Sequence, residues 1–213
     1  MKIFAISGLG VDKRVFQYLK LDHELINVEW IKPEMKEAII DYSKRIIIDY
    51  NIENEEEYGF LGVSFGGLVA IEISKLTKPK FTILISSVET RQDLSGLFKL
   101  AGRSKLIELI PEKLFKPPKA IVQYLFGTDR KELVYAILDD TEEYFVKWAV
   151  RELINWQNET KLKNLIKIGG SNDKLLHQKG ENTIFIENGA HFMIVDKAEE
   201  ISEVINEKLR VYL

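Results

Sequence analysis

Six consecutive residues, Gly62-Val63-Ser64-Phe65-Gly66-Gly67, carry the strongest chemical signal in the chain. An apolar run, Tyr58-Gly59-Phe60-Leu61, precedes them and an apolar helical pattern follows. Gly-x-Ser-x-Gly in that setting is the pattern of a nucleophile elbow, a sharp strand-to-helix turn that projects the serine hydroxyl. Glycine is needed two residues before and after the serine because such a turn leaves no room for a Cβ atom. A serine hydroxyl is a weak nucleophile until a base takes its proton. Histidine suits that task, with an unperturbed pKa near ~6.5. The chain has three histidines. His23, in the charged stretch Leu21-Asp22-His23-Glu24, reads as a solvated surface residue. His177, after Lys174-Leu175-Leu176, reads as an exposed loop residue. His191 alone sits in a glycine-containing turn after a short apolar run, and an apolar stretch, Phe192-Met193-Ile194-Val195, follows it. Ser64 with His191 as its base would perform nucleophilic acyl chemistry.

Short apolar runs alternate with helical patterns on either side of these residues. Strands are predicted at 2–6, 26–31, 58–63, 81–85, 165–168 and 183–186. Helices are predicted at 35–50, 68–76 and 198–209 from apolar positions that recur with a helical period. Alternation of this kind predicts an α/β fold, a parallel sheet with helices on both faces. Ligand sites in such sheets lie at the carboxyl ends of the strands. From about 90 to 157 the alternation stops, and only helical patterns appear, interrupted by Pro111, Pro117 and Pro118. Large apolar residues recur there, among them Leu100, Ile110, Leu114, Ile121, Tyr124 and Phe126. Helices apolar around much of their girth suggest a second buried face, so the segment is expected to form a helical cap over the site. The aromatics Trp148, Trp156, Phe115, Tyr124 and Phe126 are expected to pack there. Residues 1–213 are expected to form a single domain.

The elbow, and the segments before and after it, resemble the α/β-hydrolase superfamily. Ile3-Phe4-Ala5-Ile6-Ser7-Gly8-Leu9-Gly10 looks like the family's strand and oxyanion loop, with Ser7 where the family usually has histidine. The resemblance implies backbone oxyanion donors at Leu9 and Phe65. Ile168-Gly169-Gly170-Ser171-Asn172-Asp173 resembles the strand and turn that carry the acid, and Glu187-Asn188-Gly189-Ala190-His191-Phe192 resembles the turn that carries the base. The chain order Ser64, Asp173, His191 is the family's order. Glu89, after the strand at 81–85, occupies a place some members use for the acid instead; Asp173 is favoured and Glu89 stays open. Asp196 is expected to cap the last helix. The chain starts at what would be the family's third strand, which implies a sheet of about six strands. The implied activity is that of a serine esterase on a small, apolar acyl substrate. The alternatives are acyl transfer or carbon–carbon hydrolysis on the same residues, or a non-catalytic binder that keeps the fold.

Composition excludes several other classes. The formal net charge is -3, with acids and bases interleaved, so neither nucleic acid nor an anionic membrane is expected as partner. There are no cysteines, which removes disulfides, thiolate metal sites and cysteine nucleophiles. Gly8-x-Gly10 lacks the third glycine of a dinucleotide fingerprint, and no Walker motif or metal-spaced cluster appears, so no cofactor or metal is expected. The apolar run at 3–6 is too short for a signal peptide, and no stretch approaches the roughly 18 apolar residues of a membrane helix, which makes the cytoplasm the expected address.

Overall fold

The computed structural model describes residues 1–104, 106–176, 178 and 182–212. His177 lies outside them. Six strands form one parallel sheet: β1 (Lys2–Ile6), β2 (Glu24–Val28), β3 (Tyr58–Val63), β4 (Thr82–Ile85), β5 (Leu165–Gly170) and β6 (Thr183–Ile186). Their order is β2-β1-β3-β4-β5-β6. Every pairing is parallel. The helices are α1 (Ile39–Asp49), α2 (Phe65–Leu76), α3 (Gly96–Ser104), α4 (Lys119–Phe126), α5 (Lys131–Asp140), α6 (Glu143–Asn155), α7 (Met193–Asp196) and α8 (Ala198–Leu209).

Both sheet faces are buried, and strand alternation divides the core in two. Ile3, Ala5, Leu61, Val63, Ile83 and Ile85 face α4, α5, α7 and α8. Phe4, Ile6, Phe60 and Leu84 face α1, α2 and α6. Two helices anchor the segment between β4 and β5 against these faces. Trp148 and Ala149 of α6 join the α1–α2 side, whereas Val134, Ile137 and Leu138 of α5 join the other. Trp156 and Phe126 are also buried.

Several boundaries depart from the periodicity. β2 covers 24–28 and not 26–31, because it pairs only with β1 and Val28 lies opposite Ile6, where β1 ends. Beyond it the Ile31 N–H donates to the Tyr42 hydroxyl (3.0 Å), which donates in turn to the Ile31 carbonyl (2.9 Å). That side-chain partner satisfies the backbone that a longer strand would have paired. Helix α1 begins at Ile39, four residues later than predicted; its first N–H donates to the Glu152 carboxylate of α6 (2.8 Å), and Met35 is left 85% exposed. His23 is buried, not solvated, and its Nε2 has no hydrogen-bond partner among the described residues. Asp196 does not cap the last helix: Lys197 holds the N-cap position of α8, and the Asp196 carboxylate accepts from the Thr128 hydroxyl at 3.0 Å.

In the segment 90–157 several of the large apolar residues lie at the surface. Leu100, Leu114 and Tyr124 are 66%, 72% and 66% exposed, and Ile121 is exposed as well. A helical period alone does not say which apolar stripe finds a partner. No described helix is long and apolar enough to cross a membrane.

Glycines let the elbow pack. A Cβ at Gly62 would press on the backbone of Gly66 and Gly67, and one at Gly66 would run into the carbonyls of Ile6 and Ser7. Those are backbone atoms, which cannot swing aside as a side chain can. Gly66→Ala is therefore expected to cost about 1–3 kcal/mol, as overpacking does. In a chain of this size that lowers Tm by about 2–4 °C per kcal/mol. Thermal denaturation followed by circular dichroism checks it, and an unchanged Tm would show that α2 can move away from β1 at no cost.

Candidate active site

Ser64 sits between the end of β3 and the start of α2, at the carboxyl edge of the sheet. Its backbone is held at φ 52° and ψ −121°, a region non-glycine residues seldom enter and one that costs about 1–3 kcal/mol. The turn directs Oγ outward, and His191 Nε2 lies 2.9 Å from it. On the other side of the ring, His191 Nδ1 lies 2.9 Å from one Asp173 oxygen and 3.1 Å from the other. A carboxylate can only accept, so Nδ1 carries the proton and Nε2 is left as an acceptor toward the serine hydroxyl.

The acid and base reach these positions through two loops that fasten one another. Asp173 follows β5 and His191 follows β6, which is the neighbouring strand. Gly170 approaches the Gly189 carbonyl so closely that a Cβ could not be placed there. The Ser171 N–H donates to Ile186, the Asn172 N–H to Gly189 at 2.9 Å, and the Asn188 N–H to the Ser171 hydroxyl at 2.9 Å. The helical segment contributes a third support. The Phe192 N–H donates to the Phe126 carbonyl (3.0 Å), and the Phe126 ring lies 5.6 Å from the imidazole.

Asp173 has a side chain only 1% exposed. Burial opposes its charge, but the His191 hydrogen bond, the His191 charge and the N–H groups of Leu176 and Leu175 outweigh it and hold the carboxyl below its ordinary range. Glu89, the other candidate acid, faces elsewhere. Its carboxylate pairs with Lys167 at 3.2 Å. Its carbonyl accepts from Asn158 at 2.8 Å.

Leu9 and Phe65 are the two residues expected to supply oxyanion donors. Phe65 occupies the first position of α2, where a backbone N–H has no acceptor within its own helix. Leu9 belongs to the turn after β1, and Gly8 of that turn packs against the Ser64 Cβ. Ser7, the departure from the family's histidine, closes this turn by donating to the Val11 carbonyl at 2.8 Å. Sequence reasoning placed Ser7 in the loop after the first strand and expected Phe126 to pack in the helical segment, but it gave neither a partner at the site. Their contributions are a hydrogen bond to the backbone and a ring contact between distant segments, neither of which leaves a pattern in the chain. No three His, Cys, Asp or Glu side chains among the described residues are grouped to hold a metal ion.

No family model matches the sequence and no curated protein is recognisably similar to it. Solved structures are similar in fold. A hydrolase from Oleispira antarctica superimposes with a TM-score of 0.74 at 13% identity, over 97% of this chain and 89% of its own. A thermophilic esterase from Thermogutta terrifontis gives 0.73 at 12% identity, over 99% and 89%. A meta-cleavage product hydrolase from Pseudomonas fluorescens gives 0.72 at 14% identity, over 100% and 92%. The chain has the α/β-hydrolase fold.

The depressed Asp173 carboxyl has a consequence for stability. A group whose folded pKa lies below its unfolded value of about 3.8 stabilises the fold above that pH, and the contribution is lost as pH falls through the folded value. Asp173→Asn is therefore expected to lower the free energy of unfolding at pH 7. The gap to wild type should narrow once pH falls below about 3.8. Urea unfolding across that range checks it, and a gap constant with pH would mean that the carboxylate charge adds nothing.

Proposed function

We propose that the protein is a serine esterase acting on small acyl substrates, with Ser64 as nucleophile, His191 as general base and acid, and Asp173 as the group that orients His191. One observation carries the reading: a hydroxyl at a strained elbow stands 2.9 Å from an imidazole whose far nitrogen faces a buried carboxylate. In this mechanism Ser64 Oγ forms a bond to the acyl carbon while its proton passes to His191 Nε2. The N–H groups of Phe65 and Leu9 hold the oxygen that becomes negative. The tetrahedral intermediate collapses, the alcohol leaves with the proton from Nε2, and the acyl group stays on Ser64. Water then gives its proton to Nε2 and attacks the acyl carbon, and Ser64 recovers its proton as the acid departs.

The segment 90–157 serves in this reading as a cap within the one domain. A cavity of about 240 Å³ beside the loop after β1 supports it, since residues of that segment, Ile137 and Phe145 among them, line it together with Gly10, Val11 and Trp30. Its walls join apolar side chains to the charged Asp12, Lys32, Asp140 and Glu142, and the apolar part is where a compact acyl or alcohol group would fit. The cytoplasm remains the proposed location, and a small molecule the proposed partner.

Three measurements test the reading. Ser64→Ala should fold as wild type and lose p-nitrophenyl ester hydrolysis by several orders of magnitude, along with labelling by a fluorophosphonate. A variant that kept most of the rate would exclude Ser64. Asp173→Asn should lower kcat by up to about 10⁴, because the imidazole then favours the wrong tautomer. Glu89→Gln should change kcat little, and the reverse pattern would move the acid to Glu89. Across short p-nitrophenyl esters kcat/KM should rise with each methylene, by at most about 0.8 kcal/mol or roughly fourfold, until the cavity is filled. A flat profile would show that the cavity does not receive the acyl group.

A further inference from the structure

The peptide group between Ser64 and Phe65 has two ends that matter. One end is the Phe65 N–H, which the esterase reading uses as an oxyanion donor. The other is the Ser64 carbonyl, which points the opposite way because the peptide is trans and planar. Whatever holds that carbonyl aims the N–H. It accepts from the Gly67 N–H at 3.0 Å, a tight i→i+3 bond at the start of the helix. It also accepts from the Ser87 hydroxyl at 2.7 Å, the shorter of the two.

Ser87 comes from a different part of the chain and is completely buried. It lies just past β4, and the backbone is turned to bring it beneath the elbow: Ser86 adopts φ 48°, a left-handed value for a residue with a side chain. The hydroxyl rests against Gly67, where there is no space for a Cβ. The same stretch holds the other side of the nucleophile, since the Ser64 N–H donates to the Ile85 carbonyl at 2.9 Å. Residues 85–87 thus grip Ser64 by both its N–H and its carbonyl.

We propose that Ser87 is a positioning residue for catalysis, acting through the Ser64 carbonyl to aim and polarise the Phe65 N–H toward the developing oxyanion. A hydrogen bond to a peptide oxygen also draws electron density toward it and makes the attached N–H a better donor. The effect falls on the transition state, where the oxyanion exists, and not on substrate binding. The inference rests on the esterase reading of Ser64 and adds to it the residue that orients the donor.

Phosphonylation by a small fluorophosphonate tests it, since that reaction also builds negative oxygen at the site and needs no natural substrate. Ser87→Ala is expected to lower the maximal phosphonylation rate by about 10- to 100-fold, while the half-saturating probe concentration stays within about threefold. Ser43→Ala is the control for loss of a buried hydroxyl: it is equally buried and donates to the Ile39 carbonyl within α1 at 2.8 Å, away from the elbow, so its rate should stay within about twofold of wild type. Ser87→Cys, which keeps the volume and only a weak donor, should fall between wild type and alanine. A Ser87→Ala rate within about twofold of wild type would overturn the role of Ser87, and so would equal slowing by Ser43→Ala. If Ser87→Ala does not fold, Ser87→Cys is judged by the same twofold criterion. Wild type that is not phosphonylated at Ser64 would overturn the esterase reading itself, a result distinct from labelled wild type with an unaffected Ser87 variant.

Discussion

The structure depends on keeping one residue, Ser64, in a backbone conformation it would not choose. At φ 52° and ψ −121° it stores strain of about 1–3 kcal/mol, and such strain persists only where surrounding contacts over-determine it. The contacts come from three strands. β3 delivers the residue, and the end of β4 holds its N–H through Ile85 and its carbonyl through Ser87. The turn after β1 closes the third side, where Gly66 meets the carbonyls of Ile6 and Ser7. Glycine at 62 and 66 is the condition for that density, because backbone packs on backbone there. The hydroxyl that results stands half-buried on a rigid support rather than on a flexible loop.

The second arrangement solves a problem of burial. An isolated carboxylate as enclosed as Asp173 would be neutral, since desolvation disfavours its charge. Two backbone N–H groups and the imidazole keep it ionised. That charge in turn settles which imidazole nitrogen bears the proton. The Gly170–Gly189 contact holds the two loops at a spacing that neither could keep alone. Glu89 illustrates a different outcome: it is buried as well, but its carboxylate pairs with Lys167.

The segment between β4 and β5 divides its apolar residues between two environments. α6 joins the α1–α2 side through Trp148, which stands 5.6 Å from the Phe65 ring, and α4 reaches the base through Phe126. Leu100, Leu114 and Tyr124 remain at the surface. The inserted helices are thus tied to Phe65 through α6 and to His191 through α4, while other apolar side chains of the segment are in contact with water.

The sequence by itself determined the sheet, the elbow and the histidine. Those features are local: short continuous apolar runs in β1 and β3, a glycine spacing around Ser64, and a glycine turn before His191 are legible without knowing any neighbour. Tertiary structure decided what local pattern cannot encode. The limit of β2 follows from where β1 ends and from the Tyr42 hydroxyl that claims Ile31. Which of Asp173 and Glu89 meets an imidazole and which meets a lysine depends on the packed fold, since both lie past a strand end. The burial of His23, the exposure of Leu114 and the hydrogen bond from Ser87 to Ser64 depend likewise on residues far away in the chain. A side chain's type limits the partners it can have, and only the packed fold determines which of them it meets.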